Sequence, residues 1–173
     1  MGRIALLAAA AALLVAAAPP ATSGRAGWRI TPDGLGPVRI GMSRAEVTRV
    51  VGAPLRGDEI TEGCIEMQPA RGWRGIYFMF EEGRLTRISM SGAESGIATP
   101  RGIRVGASEA EVRRAYGRGL ESEEHTYQDA PALYLTYWTA PDRRGVRFET
   151  DAGRRVTTIH AGGASIRYVE GCL

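Results

Sequence analysis

The chain has 173 residues, with 22 Lys+Arg against 19 Asp+Glu and a formal net charge of +3. The balance is close and no stretch carries a run of basic residues, which excludes a nucleic-acid surface of the usual kind. The length, less an N-terminal leader, suits one compact domain with a real core.

At the start, Arg3 precedes an unbroken apolar run from Ile4 to Ala18, which Pro19-Pro20 stops before a set of small residues. This is the pattern of a secretory signal peptide. The run falls short of the roughly 20 residues that a membrane-spanning helix needs. Residues 1–21 are expected to be removed, with cleavage after Ala21 or as late as Ala26. No cysteine lies near the cleavage region, so no lipid anchor is expected. The mature chain is expected in the periplasm or outside the cell, without a membrane span.

Each half of the mature chain opens with a short apolar segment and a glycine. The first is Leu35-Gly-Pro-Val-Arg-Ile40 with Gly41, followed by Ser43, Glu46 and a stripe of Val47, Val50 and Val51. Ser-x-x-Glu is a capping box, with Met42 and Val47 at the spacing of a hydrophobic staple. A helix of about two turns should end at Gly52 in the left-handed conformation. It is too short to be stable alone and must pack on something.

Arg56 to Glu62 read as a loop, with a loose strand around Cys64 to Met67. Gly75-Ile-Tyr-Phe-Met-Phe80 and Leu85 to Met90 read as a β-hairpin turning through Glu81-Glu82-Gly83. Ile76, Phe78 and Phe80 should share the inner face, with Tyr77 and Met79 pointing away. Ser91 to Gly96 read as a loop, within a junction near Ser91 to Pro100.

The pattern then recurs. Arg39-Ile-Gly-Met-Ser-Arg-Ala-Glu-Val-Thr-Arg-Val-Val-Gly52 returns as Arg104-Val-Gly-Ala-Ser-Glu-Ala-Glu-Val-Arg-Arg-Ala-Tyr-Gly117. The second capping box is Ser108 with Glu111, the stripe is Val112, Ala115 and Tyr116, and Gly117 is the second left-handed stop. Gly119 to Gln128 read as a loop. Ala132 to Thr139 read as a strand, with Leu133, Leu135 and Tyr137 on one face and Tyr134, Thr136 and Trp138 on the other. Val146 to Thr150 and Arg155 to Ala161 form a second hairpin through Asp151-Ala152-Gly153. The expected fold is α+β: two tandem repeats, residues 28–94 and 95–173, each a short helix packed on an antiparallel sheet and both within one domain.

Cys64 and Cys172 remain after processing, and in an oxidising compartment an even pair reads as a disulfide. It would close a loop of about 100 residues and contribute roughly 4 to 5 kcal/mol in the chain-entropy model. There is no Cys-x-x-Cys to suggest redox chemistry.

Val38-Arg-Ile-Gly-Met-Ser-Arg-Ala-Glu-Val-Thr-Arg-Val-Val-Gly52 resembles the helix entry of the SmpA/OmlA (BamE-like) family. Two such units in one secreted chain are similar to the β-lactamase inhibitor proteins. The resemblance implies the fold and a non-enzymatic binding character, as an envelope assembly factor or a protein inhibitor. It carries over no site residue. The chain departs from the single-unit lipoproteins in having two copies and no lipid-bearing cysteine.

Catalytic signals are absent: no nucleophile elbow, phosphate loop or dinucleotide fingerprint occurs. Glu123, Glu124 and His125 are adjacent acids and an imidazole. Consecutive residues diverge and no distal ligand is evident, so a solvated acidic loop is expected instead of a metal site. His160 aligns with Ser89 by the offset that aligns Ile159 with Ile88. It should be a partly exposed strand residue, with no Ser-His-Asp or Cys-His partner. The repeated Arg39 and Arg104 suggest pairing with a carboxylate across the sheet. Trp, Tyr and Arg dominate binding hot spots, so Trp73, Tyr77, Tyr134, Trp138 and His160 are the candidate binding residues. Tyr137 reads as core; for the aromatic candidates both core and contact roles stay open. The expected function is non-catalytic binding of another envelope or secreted protein, with no cofactor. A glycan- or small-ligand-binding module using the same aromatics is the alternative, and a hydrolase centred on His160 or His125 a distant third.

Overall fold

The computed structural model describes residues 27–92, 96–140 and 143–172, with the backbone alone at Glu59 and Ile60. The expected signal peptide lies outside the described residues. The fold is mixed α and β and mostly sheet. A small three-stranded sheet comes first: β1 (Ile30–Thr31), β2 (Gly34–Leu35) and β3 (Val38–Arg39). Then follow α1 (Arg44–Val51), β4 (Leu55–Arg56), β5 (Glu59–Thr61), β6 (Cys64–Pro69), β7 (Ile76–Glu81) and β8 (Arg84–Ser91). After them come α2 (Glu109–Tyr116), β9 (Leu120–Glu124), β10 (Leu133–Ala140), β11 (Arg144–Thr150) and β12 (Val156–Gly162).

The large sheet runs β4-β6-β7-β8-β12-β11-β10-β9, with β5 also on the outer edge of β6. Every named pairing is antiparallel. The two hairpins meet at their last strands, so β8 and β12 are both central. There Ser89 faces His160 directly, the very positions that the offset equates.

Both helices start in the same way. The Ser43 N–H donates to Glu46 Oε2 at 2.8 Å and the Ser108 N–H to Glu111 Oε2 at 2.7 Å, completing two capping boxes. Those hydrogen bonds hold both glutamates below the ordinary carboxylate range. The chain ahead of each cap is pinned by two backbone bonds. The Gly41 N–H donates to Leu85 O at 2.7 Å and the Leu85 N–H to Met42 O at 2.8 Å. The Gly106 N–H donates to Val156 O at 2.7 Å and the Val156 N–H to Ala107 O at 2.8 Å. The helix ends differ. Gly52 closes α1 in the left-handed region at φ 68° and ψ 24°. Gly117 has φ 65° but ψ −146°, and the chain enters a 3-10 turn over Gly117–Gly119 instead of the expected left-handed stop.

The helices lie on one face of the sheet. Val47 and Val51 of α1, and Val112 and Tyr116 of α2, join Phe78, Phe80, Leu85, Ile88, Phe148 and Ile159 in one apolar core. The Tyr116 ring sits 5.1 Å from Phe148 and 5.0 Å from Tyr137. The β7–β8 turn needs positive φ at both Glu82 (48°) and Gly83 (73°), the mirror-image turn whose twist suits a hairpin. Three expectations change. Arg56 to Glu62 and Gly119 to Gln128 are not plain loops, since β4, β5 and β9 are paired into the sheet. Arg39 is exposed and donates to the carbonyls of Gly36 and Val38, not to a carboxylate, and Arg104 is exposed as well. The Cys64–Cys172 disulfide is formed, with Cα atoms 5.6 Å apart, which fits a secreted protein. No helix among the described residues is long and apolar enough to cross a membrane.

Ser43→Ala and Ser108→Ala should each lower the unfolding free energy by about 1 kcal/mol. Phe148→Ala should lower it by about 3 to 5 kcal/mol. Urea midpoints at unchanged slope measure both; a cap variant that does not shift would mean that the tertiary bonds alone hold that helix.

Candidate functional site

Strand alternation puts a second set of side chains on the face away from the helices, and the register arranges them in rows. One row runs Tyr77, Ser89, His160, Arg147, Thr136, Glu121 across six strands. A second runs Glu66, Met79, Arg87, Gly162, Gly145, Trp138. A third runs Ser91, Thr158, Glu149, Tyr134, Glu123. The apolar face is therefore backed by a polar one, and its charges answer one another. The Arg87 Nη2 donates to Glu66 Oε1 at 2.6 Å, and Arg147 pairs with Glu123 at 3.2 Å.

At the centre, Ser89 Oγ and His160 Nδ1 are 2.8 Å apart, and His160 Nε2 lies 3.1 Å from Glu149 Oε1. Burial pushes the imidazole pKa down, against the opposing pull of Glu149. Burial would raise Glu149, but the His160 hydrogen bond and the surrounding cations hold it low. The stable pairing is thus a carboxylate accepting from the Nε2–H of a neutral imidazole, whose Nδ1 accepts from the Ser89 hydroxyl. His160 is only 7% exposed. The expectation of a partly exposed, unpartnered histidine is corrected: Ser89 and Glu149 flank it on neighbouring strands. The set has the composition of a Ser-His-acid relay. Yet Ser89 lies on a strand flanked on both sides, so its own N–H belongs to the ladder and is not aimed at a reacting oxygen.

The 163–172 segment crosses part of this face. Arg87 donates through Nη1 to Ser165 O at 3.1 Å and to Tyr168 O at 2.9 Å. Tyr168 donates its hydroxyl to Glu81 at 3.1 Å, and Thr61 bonds Cys172 O at 2.6 Å. Arg167 lies 5.5 Å from the Trp138 ring and pairs with Glu121. Trp138 lies against Gly145 of β11, where an added Cβ would stand 2.5 Å from the indole. Between this segment and the sheet a hollow of about 310 Å³ remains, lined by Tyr77, Ser89, Glu149, His160, Tyr168 and Val169 among others.

The candidates from sequence separate accordingly. Tyr77, Tyr134, Trp138 and His160 share the polar face. Tyr77 stands at the hollow, 37% exposed. Tyr134 is 2% exposed, with the Arg147 guanidinium 4.0 Å from its ring centre and His125 stacked at 4.3 Å. Trp73 is not on this face. It is buried beside the end of α1, donating to Val51 O at 3.2 Å and packing on Trp28 at 5.2 Å. Sequence reasoning missed Tyr168, Val169 and Glu149 as members of the site. Only Glu149 had a signal, its alternation with buried Phe148. No group of three or more potential metal ligands occurs among the described residues.

No family model and no curated protein matches the chain. Among solved structures it is similar to an extracellular protein containing an SCP domain from Bacillus anthracis str. Ames, at a TM-score of 0.48 and 10% identity. The match covers 72% of this chain and 44% of the other, so this chain spans less than half the length of that protein.

The pH dependence follows from His160. Its native pKa is depressed, so the unfolded chain binds the proton more readily. The stability it contributes is present above the unfolded value of about 6.5 and is lost as pH falls toward the native one. His160→Gln should flatten the fall in the urea midpoint between about pH 7 and pH 5.5. An equal fall in both proteins would place the effect elsewhere.

Proposed function

We propose that the chain is a non-catalytic protein-binding module of the periplasm or the extracellular space. It would take its partner on the part of the polar sheet face that the 163–172 segment leaves open. One observation carries the reading: of the four exposed large hydrophobic side chains among the described residues, Tyr77, Tyr168 and Val169 all border the same hollow. Exposed aromatics clustered on a rigid, hydrogen-bonded platform are how binding surfaces concentrate energy.

Two further points support it. The matched capping boxes and matched pinning bonds favour two copies of one unit, residues 28–94 and 95–173, as in the tandem inhibitor proteins that the helix entries resemble. In that reading the β8–β12 seam joins the copies at equivalent positions, Ser89 beside His160. The ladder position of Ser89 disfavours the hydrolase reading. The hollow is at the small end of ligand-site volumes, which is the observation favouring a glycan or small-ligand module instead.

Tyr77→Ala with Tyr168→Ala should weaken capture of the partner from an envelope or secreted extract by about 30-fold or more. Stability should fall by no more than about 1 kcal/mol per site, the Tyr168–Glu81 hydrogen bond being an exposed one. Undiminished capture would remove the hollow from the interface; binding to purified glycans without any protein partner would favour the alternative.

A further inference from the structure

The hollow on the polar face is aromatic at its mouth and negative within. Tyr77 and Tyr168 stand exposed beside it. Its ionisable lining brings Glu66 from β6, Glu149 from β11 and Glu170 from the crossing segment against a single guanidinium, that of Arg87. Arg87 does not cancel them. It is 4% exposed, and it gives Nη2 to Glu66 and Nη1 to the carbonyls of Ser165 and Tyr168. Burial keeps His160 neutral, so it hydrogen-bonds Glu149 without neutralising it, and Glu149 stays ionised. Glu170 is exposed and makes no ion pair among the described residues. In a chain whose formal net charge is +3, this hollow inverts the sign.

Acceptor capacity is also left over. An ionised carboxylate accepts about four hydrogen bonds. Glu149 Oε1 takes His160 and Glu66 Oε1 takes Arg87. A ligand that donates hydrogen bonds and carries positive charge supplies what the lining lacks. The aromatic mouth narrows the choice of cation. A ring face attracts a cation, more strongly where water is excluded. The same face already uses that contact, with the Arg147 guanidinium 4.0 Å from the Tyr134 ring centre. An ammonium is compact and strongly hydrated, whereas a guanidinium is planar, weakly hydrated, forks onto carboxylates and stacks on aromatic rings. A volume of about 310 Å³ takes a long side chain but not a helix, which is about 10 to 12 Å across.

We propose that the hollow receives an arginine side chain of the partner protein, its guanidinium on Glu149 and Glu170 and its plane against the Tyr77 and Tyr168 rings. This rests on the sheet face being the interface, and it names the chemistry of the partner that the interface takes.

The experiment follows the amide ¹H and ¹⁵N chemical shifts of the mature, disulfide-bonded protein as an end-blocked Gly-Gly-Arg-Gly-Gly peptide is added. Saturable shifts are expected at Tyr77, Glu149, His160 and Glu170, with millimolar affinity because one anchor binds without the rest of its interface. The same peptide with citrulline, neutral and of the same shape, should bind about tenfold more weakly. Glu170→Gln, at an exposed position, should weaken the arginine peptide about threefold. Glu149→Gln/Glu170→Gln should weaken it about tenfold or more, with urea midpoints confirming the fold of both variants. Citrulline or lysine binding as tightly as arginine, or an affinity unchanged in the double variant, would overturn the proposal. Absent shifts, with partner capture still sensitive to Tyr77→Ala/Tyr168→Ala, would overturn this inference alone. Capture insensitive to those substitutions would remove the interface and this inference with it.

Discussion

The structure depends on the pair of backbone hydrogen bonds that ties each helix entry to the start of a strand. Helices of eight residues are below the length at which propensity alone sustains them. They persist because Gly41 and Met42 are bonded to Leu85, and Gly106 and Ala107 to Val156, before the caps at Ser43 and Ser108 turn the chain into the helix. The glycine matters for its conformation: Gly41 at φ 95° and Gly106 at φ 89° bring the backbone close to the strand in a shape that side chains resist. Met42 and Ala107 pack against the same core that Val47 and Val51 of α1 and Val112 and Tyr116 of α2 enter.

From that anchoring follows the separation of the two sheet faces. With both helices on one side, the apolar members of each strand are spent in the core, and the alternate members face outward. β8 and β12 are central strands, so their outward side chains cannot reach solvent at an edge. Ser89, His160, Glu149, Arg87 and Glu66 instead satisfy one another, and Arg87 also satisfies carbonyls of the crossing segment. The unmet hydrogen-bond capacity that would penalise a buried polar face is thereby largely consumed. The disulfide adds a covalent hold at the far end of the same segment, where Cys172 reaches β6.

The result is a molecule with a stiff polar platform and two differently built openings on its surface. The hollow beside Tyr77 and Tyr168 offers aromatic edges above a fixed neutral imidazole and carboxylate. The groove beside Trp28 and Trp73 sets Arg49 and Arg71 next to the apolar side chains of Trp28, Val50 and Val51. In the first, Ser89 lies on a strand paired on both sides.

The local grammar of the chain was legible from residues: the capping boxes, the hairpin turn at Glu82-Gly83, the inner face of Ile76, Phe78 and Phe80, and the pairing of the two cysteines. These depend on neighbours three or four residues away, on period-two alternation, or on there being only two thiols. β9 was not legible. Glu121-Ser122-Glu123-Glu124 is poor strand sequence, and only pairing with β10 holds it extended, with its charges at an edge where water reaches them. Trp73 and His160 went the same way for a related reason. Alternation tells which side of a strand a residue takes, but not what will cover that side. The end of α1 came to lie against Trp73, and the 163–172 segment, with the neighbouring strands, closed over His160. Burial of that kind is settled by elements far apart in the chain, and only their packing decided it.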